Sequence, residues 1–223
     1  MKKIIPLFAA VAILLFTSCN RHYTSSSVYQ KTASHRVVAI LPAEMIYTGV
    51  PPKNAKQEDL DKQEEQESKL FQQYLHDNIL QNGNTARYTL TVSVQNYTNT
   101  LQLLADNNIS FREAWYKTDT ELCNILKVDA VIRLRIQEKR YMSDAASMGI
   151  DYGRQIVGAV LKRNVYVPSK TNDIIASCSI VSKGETVWND NYRRAADWDT
   201  PADYVVNSIT ENFANHIPYR HRQ

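Results

Sequence analysis

The sequence predicts an α/β fold: a single domain with a mixed sheet of about five strands flanked by helices, and a C-terminal β-hairpin followed by a helix. Three observations predict it. Residues 37–41 form a continuous apolar run typical of a central strand, and residues 128–137 form a second strongly apolar strand in which side chains alternate. Residues 70–80 and 202–213 carry apolar side chains at helical spacing. Lys183-Gly184 joins two alternating segments as a two-residue hairpin turn, because glycine adopts positive φ without strain.

The predicted elements follow one another within residues 35–217, the predicted α/β domain. The first strand, residues 36–42, ends at a proline, and turn residues 48–52 lead into a long helix over residues 57–81. Thr118 and Glu121 are spaced as a capping box that begins a later helix. Between the long helix and the hairpin, the pattern predicts a strand at residues 87–95, helices at 98–106 and 118–126, and a strand at 128–137.

The last third of the domain contains the hairpin and the final helix. The hairpin strands are predicted at residues 174–182 and 185–192, with Trp188 as a core anchor. Thr200 is predicted as the N-cap of the last helix, with Pro201 at its first position. The remaining segments are an insertion of open role at residues 143–166, where charged residues disfavour a membrane span, and a tail at residues 218–223.

The N-terminus has the pattern of a lipoprotein signal. Two lysines precede an apolar run over residues 4–16, which is too short for the ~20 residues that span a bilayer. Thr17 and Ser18 are small residues before Cys19. We therefore expect a signal peptide at residues 1–18, lipid on the Cys19 sulfur, and a lipidated N-terminus with a flexible tether at residues 19–34. An ordinary secretory signal is the alternative, and Asn20 after the cysteine favours the outer membrane.

Composition and charge narrow the classes of partner. Without Lys2 and Lys3 the formal net charge falls from +3 to +1, which disfavours nucleic acid and leaves no polybasic run for a membrane surface. Cys123 and Cys178 could form a disulfide in the periplasm if their Cα atoms approach closely enough, and two buried free thiols are the preferred interpretation.

No motif of an enzyme or a metal site occurs in the sequence. HExxH, GxSxG and SxxK are absent, so no catalytic, cofactor-binding or metal-ligating residue is predicted. The histidines lack ligand spacing and are interpreted as surface residues, and the glutamates of the long helix as a solvated face. Trp115 and Trp198 fall outside the predicted elements and are candidates for contact with a partner or peptidoglycan. The histidines are His22, His35, His76, His216 and His221, and the glutamates are Glu58, Glu64, Glu65 and Glu67.

Three stretches carry a family resemblance: VVAILP at residues 37–42, ELCNILKVDAVI at 121–132 and GETVW at 184–188. They resemble an opening strand, a helix-turn-strand and a hairpin in envelope lipoproteins such as the curli-secretion lipoprotein, the peptidoglycan-synthase activator lipoproteins and the N-terminal domain of TolB. Asn124 and Lys127 depart from that pattern, the latter where glycine usually ends the helix. Because these are packing and turn motifs, the resemblance implies the fold more than a function.

Together these features predict an outer-membrane-anchored, periplasm-facing lipoprotein that acts as a non-enzymatic interaction or accessory module of the cell envelope. Its expected partners are the membrane, through lipid on Cys19, and an envelope protein. The alternatives are a subunit of an oligomeric secretion assembly, and a small-ligand binder or enzyme whose site is built from distant residues. Residues 57–69 lack apolar side chains apart from Leu60, so they are either a solvated helix end or, with residues 48–52, a docking surface.

Overall fold

A computed structural model of the protein describes residues 23–24, 27–49, 56–141, 172–197 and 199–223. Its strands are β1 (Tyr23–Thr24), β2 (Val37–Ile40), β3 (Glu44–Gly49), β4 (Tyr88–Leu90), β5 (Ser93–Val94), β6 (Ala130–Arg140), β7 (Asn172–Ser182), β8 (Glu185–Ala196) and β9 (Arg220–Arg222). Its helices are α1 (Val28–Thr32), α2 (Gln57–Gly83), α3 (Tyr97–Asp106), α4 (Phe111–Tyr116), α5 (Asp119–Leu126) and α6 (Ala202–His216).

The main sheet is organised around β6. On one side β6 pairs in parallel with β2 and, further along, with β3; on the other side it pairs antiparallel with β7, which pairs antiparallel with β8. The two-residue strands β5 and β1 extend the sheet beyond β2 and β8, making seven strands among the described residues. The sheet is mixed and has five longer strands, so the predicted α/β fold is confirmed, although β3 was not among the predicted strands. A separate ribbon joins β4 and β9.

The two faces of the sheet bury different helices. The even-numbered residues of β6 from Ala130 to Ile136 face the larger core, which α2 and α6 cover. Val131 points to the opposite face, where α3, α4 and α5 cover a smaller core. This division follows from strand geometry, because successive side chains of β6 point to opposite faces.

The local signals that are clear in the sequence lie at the expected positions in the structure. Thr118 and Glu121 form the capping box of α5. Lys127 ends that helix with φ of 58°, the left-handed conformation for which glycine is usual at this point of the family pattern. Trp188 is buried in the larger core, as predicted. Lys183 and Gly184 have φ of 52° and 78°, as a type I′ turn requires.

Gly184→Val should destabilise the domain by about 1–2 kcal/mol, because a β-branched residue is strained at positive φ. Apart from Gly184 and its two chain neighbours, no heavy atom of the described residues lies within 4 Å of the position that a Cβ would take, so backbone strain alone accounts for the loss. Urea unfolding measures this loss of stability. Gly184→Asn is the matched control and should lose less, since asparagine tolerates the left-handed region. Equal stability of Gly184→Val and wild type would contradict the turn assignment.

The domain extends beyond the predicted boundaries at residues 35 and 217. Residues 28–32 form α1 instead of a flexible tether, because Val28 is 2% exposed and packs in the larger core. Residues 218–223 are not a free tail: Tyr219 is buried, and β9 pairs with β4. One buried side chain in an otherwise polar segment leaves no periodic signal, so the sequence pattern predicted neither α1 nor the pairing of β9 with β4. The predicted signal peptide, Cys19 and the insertion at residues 143–166 lie outside the described residues.

Two further predictions need correction, and one helix was not predicted. The strand predicted at residues 87–95 is two short strands, since β4 pairs with β9 whereas β5 pairs with β2. Thr200 is not the N-cap of α6; that position is Pro201, and the Thr200 hydroxyl accepts a hydrogen bond from the Asp197 backbone. Helix α4 was not predicted, although Ser110 and Glu113 form a capping box at its start.

Candidate functional site: a groove beside the long helix

The first half of α2 is held by side chains from elsewhere in the chain. Arg112 in α4 donates from Nε to Glu64 Oε1 at 3.0 Å and from Nη2 to Glu64 Oε2 at 2.7 Å, and Nη2 also reaches Asp61 Oδ1 at 2.7 Å. Hydrogen bonds from Arg112 and then Gln57 hold the pKa of Asp61 below its usual value. A bidentate arginine fixes distance and orientation together. The helix start is therefore tied to α4.

A second contact holds the same half of α2 to the sheet. The Tyr47 hydroxyl donates to Glu67 Oε2 at 2.6 Å, and burial and the Glu67 carboxylate raise the pKa of Tyr47. Glu64 and Glu67 thus have partners within the chain, contrary to the predicted solvated face. Glu58 and Glu65 fit that prediction, since each pairs with a lysine one turn further along the exposed helix surface.

A groove of about 550 Å³ lies between α2, α3 and α4. Its walls and floor are mainly apolar, and its rim is polar and includes the Glu65–Lys69 pair. The apolar lining residues are Leu101, Leu104, Ala105, Ile109 and Phe111, and the polar ones are Glu65, Lys69, Thr98, Gln102 and Ser110.

A tight connection between α3 and α4 shapes the groove. Asn108, with φ of 54°, ends α3 and lets the Ile109 backbone N–H donate to the Leu104 carbonyl at 2.9 Å. The capping box of Ser110 and Glu113 starts α4 immediately afterwards. Ile109 is consequently turned inward and contributes to the floor. Because Arg112 then reaches across to α2, the groove is formed before any partner binds.

The lining of the groove is suited to binding apolar side chains. It contains no histidine or cysteine, and half of its lining residues are apolar. Small-molecule sites generally place a few convergent polar groups among apolar walls. An apolar trough with a polar rim instead resembles the surfaces that receive side chains of a polypeptide.

A smaller cavity of about 250 Å³ lies on the sheet face and involves Trp115. Trp115 belongs to α4 and is half-buried, with its indole N–H donating to the Pro42 carbonyl at 3.1 Å. Arg133, which also lines this cavity, donates to Asp119 and to the carbonyls of Trp115 and Lys117. These hydrogen bonds within the chain indicate that Trp115 has a structural role. Its neighbour Tyr116 is 82% exposed, and Trp198 lies outside the described residues.

The histidines do not all lie on the surface as predicted. His35 is 4% exposed and is hydrogen-bonded on both ring nitrogens, to the Tyr219 hydroxyl at 2.8 Å and to Ser182 Oγ at 3.1 Å. Burial lowers the pKa of His35, which favours its neutral form. His76 is buried against the ring of Tyr97. His216 contacts Asp190, His221 is exposed, and His22 lies outside the described residues.

The two cysteines of the domain are free thiols. Cys178 is buried in the larger core, whereas Cys123 packs half-buried against the smaller core on the opposite face of the sheet. Burial raises the pKa of both thiols, which keeps them protonated. Within the described ranges, no group of three His, Cys, Asp or Glu side chains is arranged to hold a metal ion. No helix among those residues is long and apolar enough to cross a bilayer.

No protein-family model matches the sequence, and no curated protein matches it. Three solved structures have a partial likeness to this chain. For the PelC dodecamer from Paraburkholderia phytofirmans the identity is 9% and the TM-score 0.43, over 91% of this chain and 97% of that chain. For lipoprotein GNA1162 from Neisseria meningitidis the identity is 10% and the TM-score 0.38, over 81% of this chain and 94% of that chain. For the LpoB C-terminal domain from Salmonella enterica the identity is 9% and the TM-score 0.33, over 76% of this chain and 92% of that chain.

With identities of 9 to 10% and TM-scores below 0.5, these likenesses carry no argument about function. Function has to be inferred from the residues of this chain.

Proposed function

We propose that this protein is an outer-membrane-anchored, periplasm-facing lipoprotein that serves as a non-enzymatic protein-interaction module of the cell envelope. The sequence before Cys19 supports the anchor and the compartment. The observation that carries the interaction role is the preformed groove between α2, α3 and α4. Its occupant is a segment of an envelope protein that presents apolar side chains flanked by charged ones.

The physical argument rests on what the groove offers a ligand. Leu101 and Phe111 are partly accessible in the apolar lining, and burying an aliphatic or aromatic side chain fully contributes about 1.5–3 kcal/mol. Glu65 and Lys69 present both signs of charge at the rim, which favours a partner with charges in matching positions. The Arg112 ion pairs already order the helix start, so binding does not have to pay for that ordering.

The groove can be tested by filling it. Ala105 is an exposed lining residue on α3, and Ala105→Trp would place an indole over the apolar floor. We expect photo-cross-linking from p-benzoylphenylalanine at Gln102, performed in intact envelopes, to yield a discrete protein adduct. Ala105→Trp should reduce its yield about tenfold, the equivalent of about 1.4 kcal/mol of binding energy.

Asn99→Trp is the matched control, because Asn99 is an exposed residue of the same helix that does not line the groove. Both variants should unfold within about 0.5 kcal/mol of each other, as surface changes usually do. Equal adduct yields from both variants would contradict docking in the groove. An adduct of two copies of the chain would favour an oligomeric assembly instead. Charge reversal of Glu64 and Glu67 is unsuitable, since it breaks the contacts with Arg112 and Tyr47.

A further inference from the structure

The folded domain begins very close to Cys19. Strand β1 pairs antiparallel with β8, with Tyr23 opposite Asn189 and Thr24 opposite Trp188. Four residue steps separate Cys19 from Tyr23, and a fully extended chain covers about 14 Å over that length. If Cys19 is lipidated, as the proposed function requires, β1 lies within about 14 Å of the membrane surface. The tether predicted from the sequence is too short to hold the domain away from the bilayer.

The surface next to β1 combines tyrosine with basic residues. Thr24 lines a cavity of about 220 Å³ together with Tyr29 of α1, Tyr88 of β4 and Arg220 of β9. Tyr29 is 66% exposed, and its ring contacts the ring of His221 edge-on at 6.0 Å between centroids. The anchor-side face is defined here as Tyr29, Arg87, Tyr88 and residues 220–222.

The charge of the anchor-side face is positive. Arg87 and Arg222 are exposed and have no acidic partner among the described residues. Arg220 lies over the Tyr88 ring at 3.6 Å from the centroid, which holds the guanidinium and the ring together. Glu185, close to α1, is engaged by Lys31. The sequence contains no polybasic run, and the fold assembles this patch from two separate segments.

We propose that the anchor-side face rests on the phospholipid headgroups of the membrane that holds the lipid anchor. Tyrosine rings are favoured at the level of the headgroups, and exposed arginines bind lipid phosphates. The face and the anchor act together, because the short connection from Cys19 brings this surface to the bilayer. This inference rests on the proposed lipidation.

This orientation also determines where the groove lies relative to the membrane. Gly83, at the end of α2, packs against Leu90 of β4, and a Cβ on Gly83 would clash with that leucine. Lys69 at the groove lies 14 residues earlier, about 21 Å along the helix axis. The groove is thereby separated from the anchor-side face and stays available to a partner in the periplasm.

The test uses the full lipidated protein in vesicles of phosphatidylethanolamine and phosphatidylglycerol. A p-benzoylphenylalanine probe replaces Tyr29, or Tyr116 of α4 as the matched exposed control, and adducts are identified by mass spectrometry. We expect phospholipid adducts from position 29 and at least fivefold fewer from position 116. Arg87→Glu combined with Arg222→Glu should reduce the yield at position 29 several-fold.

Each other outcome overturns the proposal in a distinguishable way. Protein that floats with the vesicles but forms no lipid adduct at position 29, or equal adducts at both positions, refutes the orientation and leaves the anchor intact. An adduct between two chains at position 29 would assign this face to a second copy. Protein that does not float at all refutes the lipid anchor, and the orientation with it.

Discussion

Tyr219→Ala is expected to destabilise the domain by about 3–5 kcal/mol, the range found when a large aromatic side chain is removed from a core. Tyr219 is 1% exposed and is among the largest fully buried side chains of the described chain. Its backbone carbonyl accepts hydrogen bonds from the Thr91 backbone at 3.0 Å and from the Thr91 hydroxyl at 3.2 Å. Truncation would leave a cavity where the C-terminal segment meets the sheet, while the backbone bonds to Thr91 and the pairing of β9 with β4 remain possible.

The hydroxyl of Tyr219 belongs to a chain of buried hydrogen bonds. With neutral His35, Tyr219 donates to Nδ1, Nε2–H donates to Ser182 Oγ, and the Ser182 hydroxyl donates to the Asp129 carbonyl at 3.0 Å. Every group in this order has a partner, which a buried polar cluster requires. The cluster joins the start of the domain, the end of β7, the approach to β6 and the C-terminal segment.

Tyr219→Phe is the control that separates the ring from its hydroxyl. It keeps the ring and removes one hydrogen bond, so a loss of about 1 kcal/mol is expected. Urea unfolding followed by circular dichroism measures both variants, provided that the slope with denaturant is unchanged. If Tyr219→Ala costs no more than Tyr219→Phe, the ring is not in the core and residues 218–223 are a tail after all.

Cys19→Ala is expected to move the protein from the membrane fraction to the soluble periplasmic fraction. Each buried methylene of an acyl chain contributes about 0.8 kcal/mol, and two or more chains anchor a protein stably. The tyrosine and arginine contacts proposed for the anchor-side face lie at the headgroups and insert no acyl chain, so they should not retain the unlipidated protein through an alkaline wash. Fractionation after an alkaline wash, together with incorporation of labelled palmitate, measures the change.

Cys123→Ala is the matched control for loss of a thiol. Cys123 is a half-buried free thiol of the domain, so this variant should keep both the palmitate label and its place in the membrane fraction. Retention of Cys19→Ala in the washed membranes would show that something other than lipid on this residue holds the protein. A wild-type protein without label would favour the ordinary secretory signal.

Several elements could be predicted because their signals are local. The hairpin turn depends on two adjacent residues, Lys183 and Gly184, and the start of α5 depends on Thr118 and Glu121, three residues apart. Strand β6 begins with three consecutive apolar residues, 130–132, because helices cover both faces of its first part. Such patterns predict elements well, since the interactions that stabilise them act within one turn or one strand.

The candidate groove depends on residues that are distant in sequence, so the pattern could not show it. The first half of α2 has the composition of a free surface, yet Arg112 holds Glu64 across 48 positions of the chain. The groove needs three helices in their packed positions, and its apolar lining reads in the sequence as ordinary core residues.

The boundaries of the domain show most clearly what the sequence pattern cannot predict. Val28, His35 and Tyr219 stand in polar segments without periodicity, and their burial follows only from the meeting of the two ends of the chain with the sheet. Local composition determines which segments form strands and helices. Burial is a property of the assembled molecule, because the free energy of removing a side chain from water depends on which distant residues cover it.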